Sequence, residues 1–172
     1  MGIAERVRFS QFHNRIMDAA AAAALIPHGA TVGMSGFTGA GYPKALPQAM
    51  AERAQAEHAQ GRPYKINLWT GASTAPECDG ALAQAHAIGQ RLPFNTDPLA
   101  RQQINAGEID FIDMHLSHVA QHAWFGFFGK MNVAVIEVLG VTADGLLIPS
   151  TAIGNNKTWL EIADQVILQV NT

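Results

Sequence analysis

Three short segments carry the glycine and hydroxyl residues that could hold a substrate oxygen or an anion. They are Ser35 to Tyr42, Gly71 to Thr74 and Phe94 to Asp97. In open parallel sheets, ligands bind outside the carboxyl ends of the strands, and we place all three segments at such ends. The hydroxyls of Ser73 and Thr96, with nearby backbone N–H groups, could bind a carboxylate or a carbonyl oxygen. The alternative is that both residues cap helices, which serine and threonine often do.

The first of these segments is a glycine loop between a short apolar run and an alanine-rich helical stretch. Its residues of interest are Gly36, Phe37, Thr38, Gly39 and Gly41. The spacing G-x-x-G-x-G matches neither the dinucleotide fingerprint nor the P-loop. Pro43 suits the first position of the following helix, whose N–H groups would then point into the loop and favour an anion. A tight turn without a ligand is the other interpretation, and the spacing leaves both open.

Three histidines and one carboxylate lie close together in the sequence. His118 and His122 are four residues apart on a predicted helix, with His115 and Asp113 just before them. This spacing occurs in metal-binding helices. Because the H-E-x-x-H pattern is absent, we predict no metal site and histidines that lie on the helix surface or make satisfied polar contacts.

No catalytic residue is predicted within the chain. Cys78 lies between Glu77 and Asp79, and neighbouring acids raise the pKa of a thiol, so a reactive thiolate is not expected. The nucleophile elbow G-x-S-x-G is not matched by residues 33–37, because Phe37 stands in place of the final glycine.

Composition excludes several classes of protein. The 172 residues are 48% hydrophobic and 15% charged, which is typical of one globular α/β domain and not of a disordered segment. The net charge is −3 without a Lys/Arg cluster, so no nucleic-acid partner is expected. No apolar run is long enough for a membrane span. The single cysteine agrees with a reducing compartment, and we predict a cytoplasmic protein.

The elements that position these segments alternate along the chain. Apolar runs predict strands at 30–32, 64–70, 110–114, 133–137 and 165–170. Helices are predicted at 10–26 with Ser10 as N-cap, 43–58, 75–87, 115–125 and 158–163, and a short helix capped by Thr96 or Asp97 ends near 105–107. A hairpin is predicted over 138–149, because Asp-Gly separates two apolar runs there. The expected fold is therefore α/β, a mostly parallel open sheet flanked by helices, with a C-terminal hairpin.

Several motifs, taken in order, resemble the acetyl-CoA hydrolase/transferase family. The motifs are Ser35 to Lys44, Thr70 to Thr74, Pro93 to Asp97, Ile104 to Glu108, Asp113 to Ser117 and Ile153 to Asn155. The resemblance extends from about residue 20 to 171. It implies that residues 1–172 form the N-terminal domain of a class I CoA-transferase-like enzyme with two similar α/β domains. Ala75 departs from the pattern, since glycine is usual after the Ser-Thr pair.

The resemblance also implies a mechanism and a set of site residues. In this family a glutamate attacks the acyl-CoA, and CoA returns to it as a glutamyl-CoA thioester before an acceptor carboxylate takes over. That glutamate belongs to a second domain absent from this chain, and Glu137 matches a strand residue of the first domain. Ser73 and Thr96 match residues associated with the carboxylate site, and Gly71 and Asn95 lie in the same two motifs. Coenzyme A is expected as a substrate, with no permanently bound cofactor.

Two functions follow as expectations. The first is the N-terminal half of a CoA-transferase or acyl-CoA hydrolase, inactive alone, whose partners are a small acyl-CoA, a carboxylate, and a missing C-terminal domain or partner chain. The second is a non-catalytic truncated domain that binds a partner chain or a small carboxylate. The apolar face that would meet the second domain should be exposed, and we expect a homo-oligomer.

Overall fold

A seven-stranded sheet occupies the centre of the computed structural model, which describes residues 2–172 except the side chain of Ser73. The strands are β1 (Thr31–Met34), β2 (Phe37–Thr38), β3 (Ile66–Trp69), β4 (Ala72–Ser73), β5 (Ile88–Leu92), β6 (Asp110–Phe111), β7 (Val133–Val141), β8 (Leu147–Pro149) and β9 (Gln165–Val170). The α-helices are α1 (Ile3–Arg6), α2 (Ala19–Ala24), α3 (Ala45–Ala59), α4 (Ala81–Gln84), α5 (Pro98–Asn105), α6 (Leu116–Trp124) and α7 (Asn156–Ile162).

The sheet has the order β6-β5-β3-β1-β7-β8, and β9 also pairs with β7. Every pairing in it is parallel except that of β7 with β8, which form the predicted hairpin. The α/β class, the mostly parallel sheet and the C-terminal hairpin are thereby confirmed. Strand β9 has the predicted bounds, because its apolar run is flanked by polar residues on both sides.

Apolar side chains on the two faces of the sheet form two separate clusters. Val32 and Met34, two residues apart on β1, belong to the cluster that includes α2, α3, α4 and α5. The other cluster contains Trp69 and Trp159 and includes α6 and α7. Gly33 faces this second cluster, where a Cβ atom would lie 2.5 Å from the terminal methyl of Met131. Helices therefore cover both faces of the sheet.

The helix predicted over 10–26 is wrong, since the segment forms two elements. A 3₁₀ turn covers Ser10–Arg15, and α2 begins only at Ala19. Asp18 is the cause, because its backbone is extended and its carboxylate accepts the N–H of Ala21 at 2.8 Å. Ser10 makes no capping bond and is the first residue of the 3₁₀ turn.

Strand β5 was not predicted, and the helix expected over 75–87 has a different form. A wide π-helical turn covers Pro76–Gly80 and leads into the short α4. β5 contains Gly89, Gln90 and Arg91, which do not resemble a strand buried between two layers of helices. Arg91 is nevertheless fully buried. The buried charge of Arg91 is the reason that this strand, which leads into the third polar segment, was not predicted.

No helix among residues 2–172 combines the length and apolar character needed to cross a membrane.

Candidate functional site

The glycine loop and the segment after β3 join through a small second sheet. β2 and β4 pair in parallel, with Phe37 beside Ala72 and Thr38 beside Ser73. The predicted loops did not include this pairing, since two-residue strands leave no periodic signal. It brings the backbone of Ser73 next to the glycine loop, while the side chain of Ser73 lies outside the described part of the chain.

The segment after β3 also contacts the segment after β5. The backbone N–H of Thr96 donates to Thr74 Oγ1 at 3.1 Å, and the two hydroxyl oxygens lie 3.3 Å apart. Thr74 is buried, whereas Thr96 is exposed. All three polar segments predicted from the sequence therefore meet at one edge of the sheet.

Thr96 does not cap the helix that follows it. Asp97 does so, since its Oδ1 accepts the N–H groups of Leu99 at 3.0 Å and Ala100 at 2.9 Å. Of the two predicted caps, Asp97 is confirmed. The hydroxyl of Thr96 contacts Thr74 and does not cap the helix, and its predicted contact with substrate stays a prediction.

Asn95 is held by contacts within the chain. Its Oδ1 accepts the N–H of Asp97 at 2.7 Å, and its Nδ2 donates to Asp79 Oδ1 at 3.3 Å. Both ends of the amide are thus engaged, and its predicted contact with substrate stays a prediction. Gly71 is buried, and a Cβ atom there would lie 2.8 Å from Asn155 Nδ2, so its role in this structure is close approach of two segments.

A fourth segment, around Asn155, closes against the first two. The backbone N–H of Asn155 donates to Ser35 Oγ at 2.8 Å, and its Nδ2 donates to the carbonyl oxygen of Thr70 at 3.2 Å. Gly154 has a positive φ of 53° and approaches Ser35 closely. The motif from Ile153 to Asn155 is one of those that carry the resemblance, but its place at the site was not predicted. The pair Gly154-Asn155, which follows the hairpin, was the sequence signal that could have predicted a functional segment here.

The glycine loop is a tight hairpin with two positions that require glycine. Phe37 and Ala40 exchange backbone hydrogen bonds of 2.8 and 2.9 Å. A Cβ at Gly36 would lie 2.3 Å from the carbonyl oxygen of Ala40, and Gly41 has a φ of 71° with the backbone of Ala152 against it. Gly39, in contrast, has open space around it. Thr38 has a φ of 47°, an unusual conformation for a β-branched residue.

The start of helix α3 differs from the prediction. The helix begins at Ala45, so Pro43 is not its first residue. The N–H of Leu46 donates to Gln169 Oε1 at 2.9 Å, which engages one helix-terminal donor within the chain. This contact favours the interpretation of the loop as a tight turn over that of an anion cradle made by the helix.

Glu137 lies in the middle of β7 and pairs with a lysine from the start of α3. Lys44 Nζ is 3.4 Å from Glu137 Oε2, and the glutamate is buried. Lys44 also donates to the carbonyl oxygen of Tyr42 at 3.1 Å. These contacts fix the helix against the sheet and agree with the interpretation of Glu137 as a strand residue.

A buried ion pair joins β5 to the turn at Pro76–Gly80. Arg91 Nε donates to Asp79 Oδ1 at 2.7 Å, and the two side chains are 0% and 1% exposed. The backbone N–H of Ala75 donates to the other carboxylate oxygen at 3.2 Å. Neither residue was singled out as functional in the sequence, since a single Asp and a single Arg twelve positions apart form no recognisable motif.

His115, His118 and His122 take part in hydrogen bonds at the start of α6 and within it, and Cys78 is buried. His115 caps α6, where its Nδ1 accepts the N–H of Ser117 at 3.3 Å. His122 Nδ1 contacts the carbonyl oxygen of His118 at 2.8 Å. Among the residues that the structure describes, no group of three or more His, Cys, Asp or Glu could hold a metal ion. Burial raises the pKa of the Cys78 thiol, and the charge of Asp79 adds to the effect.

Comparison with known proteins gives matches along the whole chain. The model of the acetyl-CoA hydrolase/transferase N-terminal domain matches residues 1–172. The chain is 40% identical to the succinyl-CoA:acetate CoA-transferase of Clostridium kluyveri over 167 residues, which is 97% of this chain and 30% of that protein. It is 46% identical to the propanoyl-CoA:succinate CoA transferase of Escherichia coli over 155 residues, which is 90% of this chain and 32% of that protein.

The chain thus spans about a third of the length of these curated relatives. Among solved structures, the glutaconate coenzyme A-transferase of Acidaminococcus fermentans matches with a TM-score of 0.63 at 13% identity. The match covers 89% of this chain and 68% of that one, and it concerns the fold alone.

Proposed function

The chain belongs to the acetyl-CoA hydrolase/transferase family, and on that premise we propose that it is the N-terminal half of an enzyme that moves CoA between a short acyl-CoA and a carboxylate. The family match over residues 1–172 is the observation that carries the proposal. The meeting of three polar segments at one sheet edge supports it, since that edge is where α/β folds bind ligands.

In this proposal the chain supplies one wall of the carboxylate site. Ser73 and Thr96 belong to the site of the acceptor carboxylate, where the Thr96 hydroxyl donates to a carboxylate oxygen, and Gly71 and Asn95 shape the surrounding segments. The glycine loop lies against the backbone of Ser73 through the β2–β4 pairing. Hydroxyl donors held by a rigid scaffold can bind an anion without the large desolvation cost of a buried cation.

The nucleophile is a glutamate outside residues 1–172. Its carboxylate attacks the thioester carbonyl, the CoA thiolate leaves, and a mixed anhydride remains. The thiolate then attacks the glutamyl carbonyl, which releases the first carboxylic acid as its carboxylate and forms glutamyl-CoA. The acceptor carboxylate finally repeats these steps in reverse and departs as the new acyl-CoA, which is nucleophilic covalent catalysis with ping-pong kinetics.

The proposal implies a partner surface for the rest of the enzyme. Three aromatic side chains near the end of α6 are largely exposed, at 53% for Trp124, 64% for Phe125 and 72% for Phe127. A patch of this kind marks an interaction site more often than a free surface. We assign it to a second domain or a second copy, and the cytoplasmic location stays a prediction.

The experiment that tests the proposal is a comparison of two polypeptides. Purified residues 1–172 should not turn over acetyl-CoA, whereas the longer protein that includes a second domain should transfer CoA from acetyl-CoA to succinate and release acetate. Turnover by residues 1–172 alone would contradict the assignment of the nucleophile to another part of the enzyme. A longer protein that binds carboxylates but neither transfers CoA nor hydrolyses acyl-CoA would favour the non-catalytic alternative.

A further inference from the structure

Asp79 lies at the point where two of the polar segments converge. Its carboxylate accepts hydrogen bonds from Arg91 on β5, from Asn95 on the segment after β5, and from the N–H of Ala75 on the segment after β3. These donors come from elements that are 4 to 16 residues away along the chain. One buried side chain therefore connects both segments to the sheet.

The contact is rigid for an electrostatic reason. Arg91 is fully buried, and an unpaired charge at such a site would be strongly unfavourable, so the two groups must stay together in the folded state. Arg91 also donates to the carbonyl oxygen of Leu92, which fixes the guanidinium to the end of its own strand. The wide turn at Pro76–Gly80 directs Asp79 inward toward this strand.

We propose that Asp79 and Arg91 are positioning residues that hold the segments after β3 and β5 at a fixed separation and thereby set the contact between Thr74 and Thr96. Neither is accessible to a substrate, so they act through the two threonines. The consequence for carboxylate binding rests on the proposed function, whereas the mechanical link between the segments does not.

Amide hydrogen exchange tests this link between the two segments, measured on the longer protein that includes a second domain, here called the full-length protein. Arg91→Met and Asp79→Asn should each accelerate exchange of the Thr96 and Ala75 amides about tenfold, because their hydrogen-bond acceptors are no longer held in place. Exchange in α6 should not change. Arg62→Met is the matched control, since Arg62 also pairs with a carboxylate, that of Glu57, but at the surface.

Arg91→Lys provides a folded variant if Arg91→Met does not fold, because lysine keeps the positive charge but lacks the Nε–H that Arg91 donates to Asp79. Wild-type exchange rates at Thr96 in the folded variants would overturn the proposal. Acceleration that is equal in all elements would also overturn it, since that result describes a general loss of stability.

Steady-state kinetics separates this proposal from the proposed function. In the full-length enzyme, the variants should raise KM for the acceptor carboxylate about tenfold and leave KM for acyl-CoA within about twofold. Faster exchange at Thr96 with an unchanged carboxylate KM would uphold the link and contradict the carboxylate-binding role of the two segments. Unchanged exchange would contradict the link whatever the kinetics.

Discussion

The backbone N–H of Thr96 donates to Thr74 Oγ1 at 3.1 Å, and this bond joins segments that follow two neighbouring strands of the sheet. Thr74→Val removes the hydroxyl at almost constant volume and leaves this N–H without its acceptor. We expect a loss of about 1 kcal/mol in the free energy of unfolding, with a raised KM for the carboxylate in the full-length enzyme.

The matched control is Thr142→Val, because the Thr142 hydroxyl also accepts a backbone N–H, that of Leu146 at 2.9 Å, but lies in the hairpin turn. It should lose similar stability without any change in carboxylate KM. Equal KM values for the two variants would contradict a carboxylate site in which Thr74 holds Thr96 in place.

The glycine loop should tolerate alanine at one glycine and not at another. Gly36→Ala places a Cβ 2.3 Å from the carbonyl oxygen of Ala40. Because this oxygen belongs to the backbone, it cannot shift away as the end of a flexible side chain could. Urea unfolding should show a loss of about 1–3 kcal/mol. Gly39→Ala is the control, since nothing lies within 4 Å of its added Cβ. Equal losses for both variants would show that the loop has a different conformation.

Asp97 should contribute more to stability than a surface cap. It accepts two backbone N–H groups at the start of α5 and is 8% exposed. Asp97→Ala should cost about 1–2 kcal/mol in chemical denaturation, at the upper end for N-caps. Asp18→Ala removes a cap with one bond at an exposed site and should cost less. The reverse order would contradict the burial described for Asp97.

Cys78 should be unreactive in the folded protein. Burial raises the pKa of its thiol, so the folded state keeps the proton at pH values where the unfolded chain, with a pKa of about 8.5, loses it. The contribution of this group to stability is therefore constant below that pH and falls as pH rises above it. Native protein at pH 8 should resist iodoacetamide and react fully in urea. Fast labelling without denaturant would contradict the burial.

The parts of the fold that depend on local pattern were predictable. The hairpin of β7 and β8 follows from Asp144-Gly145 between apolar runs, and β9 follows from the apolar residues 166–168 and 170. Strand β5 was missed because Arg91 is buried only by virtue of Asp79, a partner twelve residues away. A long-range ion pair of this kind leaves no trace in the periodicity of either segment.

The candidate site was likewise predictable only where it depends on local pattern. The three polar segments were identified because strand ends in a parallel sheet share one edge. The β2–β4 pairing and the contact of Asn155 with Ser35 depend on tertiary approach of segments up to 120 residues apart, which no local signal contains. The split of the first helix at Asp18 was readable in principle, since aspartate before an alanine run is a strong N-cap.

The exposed aromatic patch predicts self-association when the chain is isolated. Light scattering of residues 1–172 should show dimers or larger species, because Phe125 and Phe127 leave much of their surface to solvent. Replacing both with serine should shift the distribution toward the monomer. Phe9, which packs edge-on against Phe12 with ring centroids 4.9 Å apart, offers a control position away from the patch. A monodisperse wild-type monomer would contradict the prediction.

Peptide mass spectrometry of the longer protein that includes a second domain identifies the nucleophile. The full-length protein is incubated with acetyl-CoA, digested, and searched for a glutamyl-CoA thioester or its borohydride-reduced product. We predict one modified glutamate, located outside residues 1–172, with Glu137 unmodified because it is buried and paired with Lys44. A modified glutamate within residues 1–172, or active enzyme that never forms the adduct, would contradict a glutamate nucleophile outside residues 1–172.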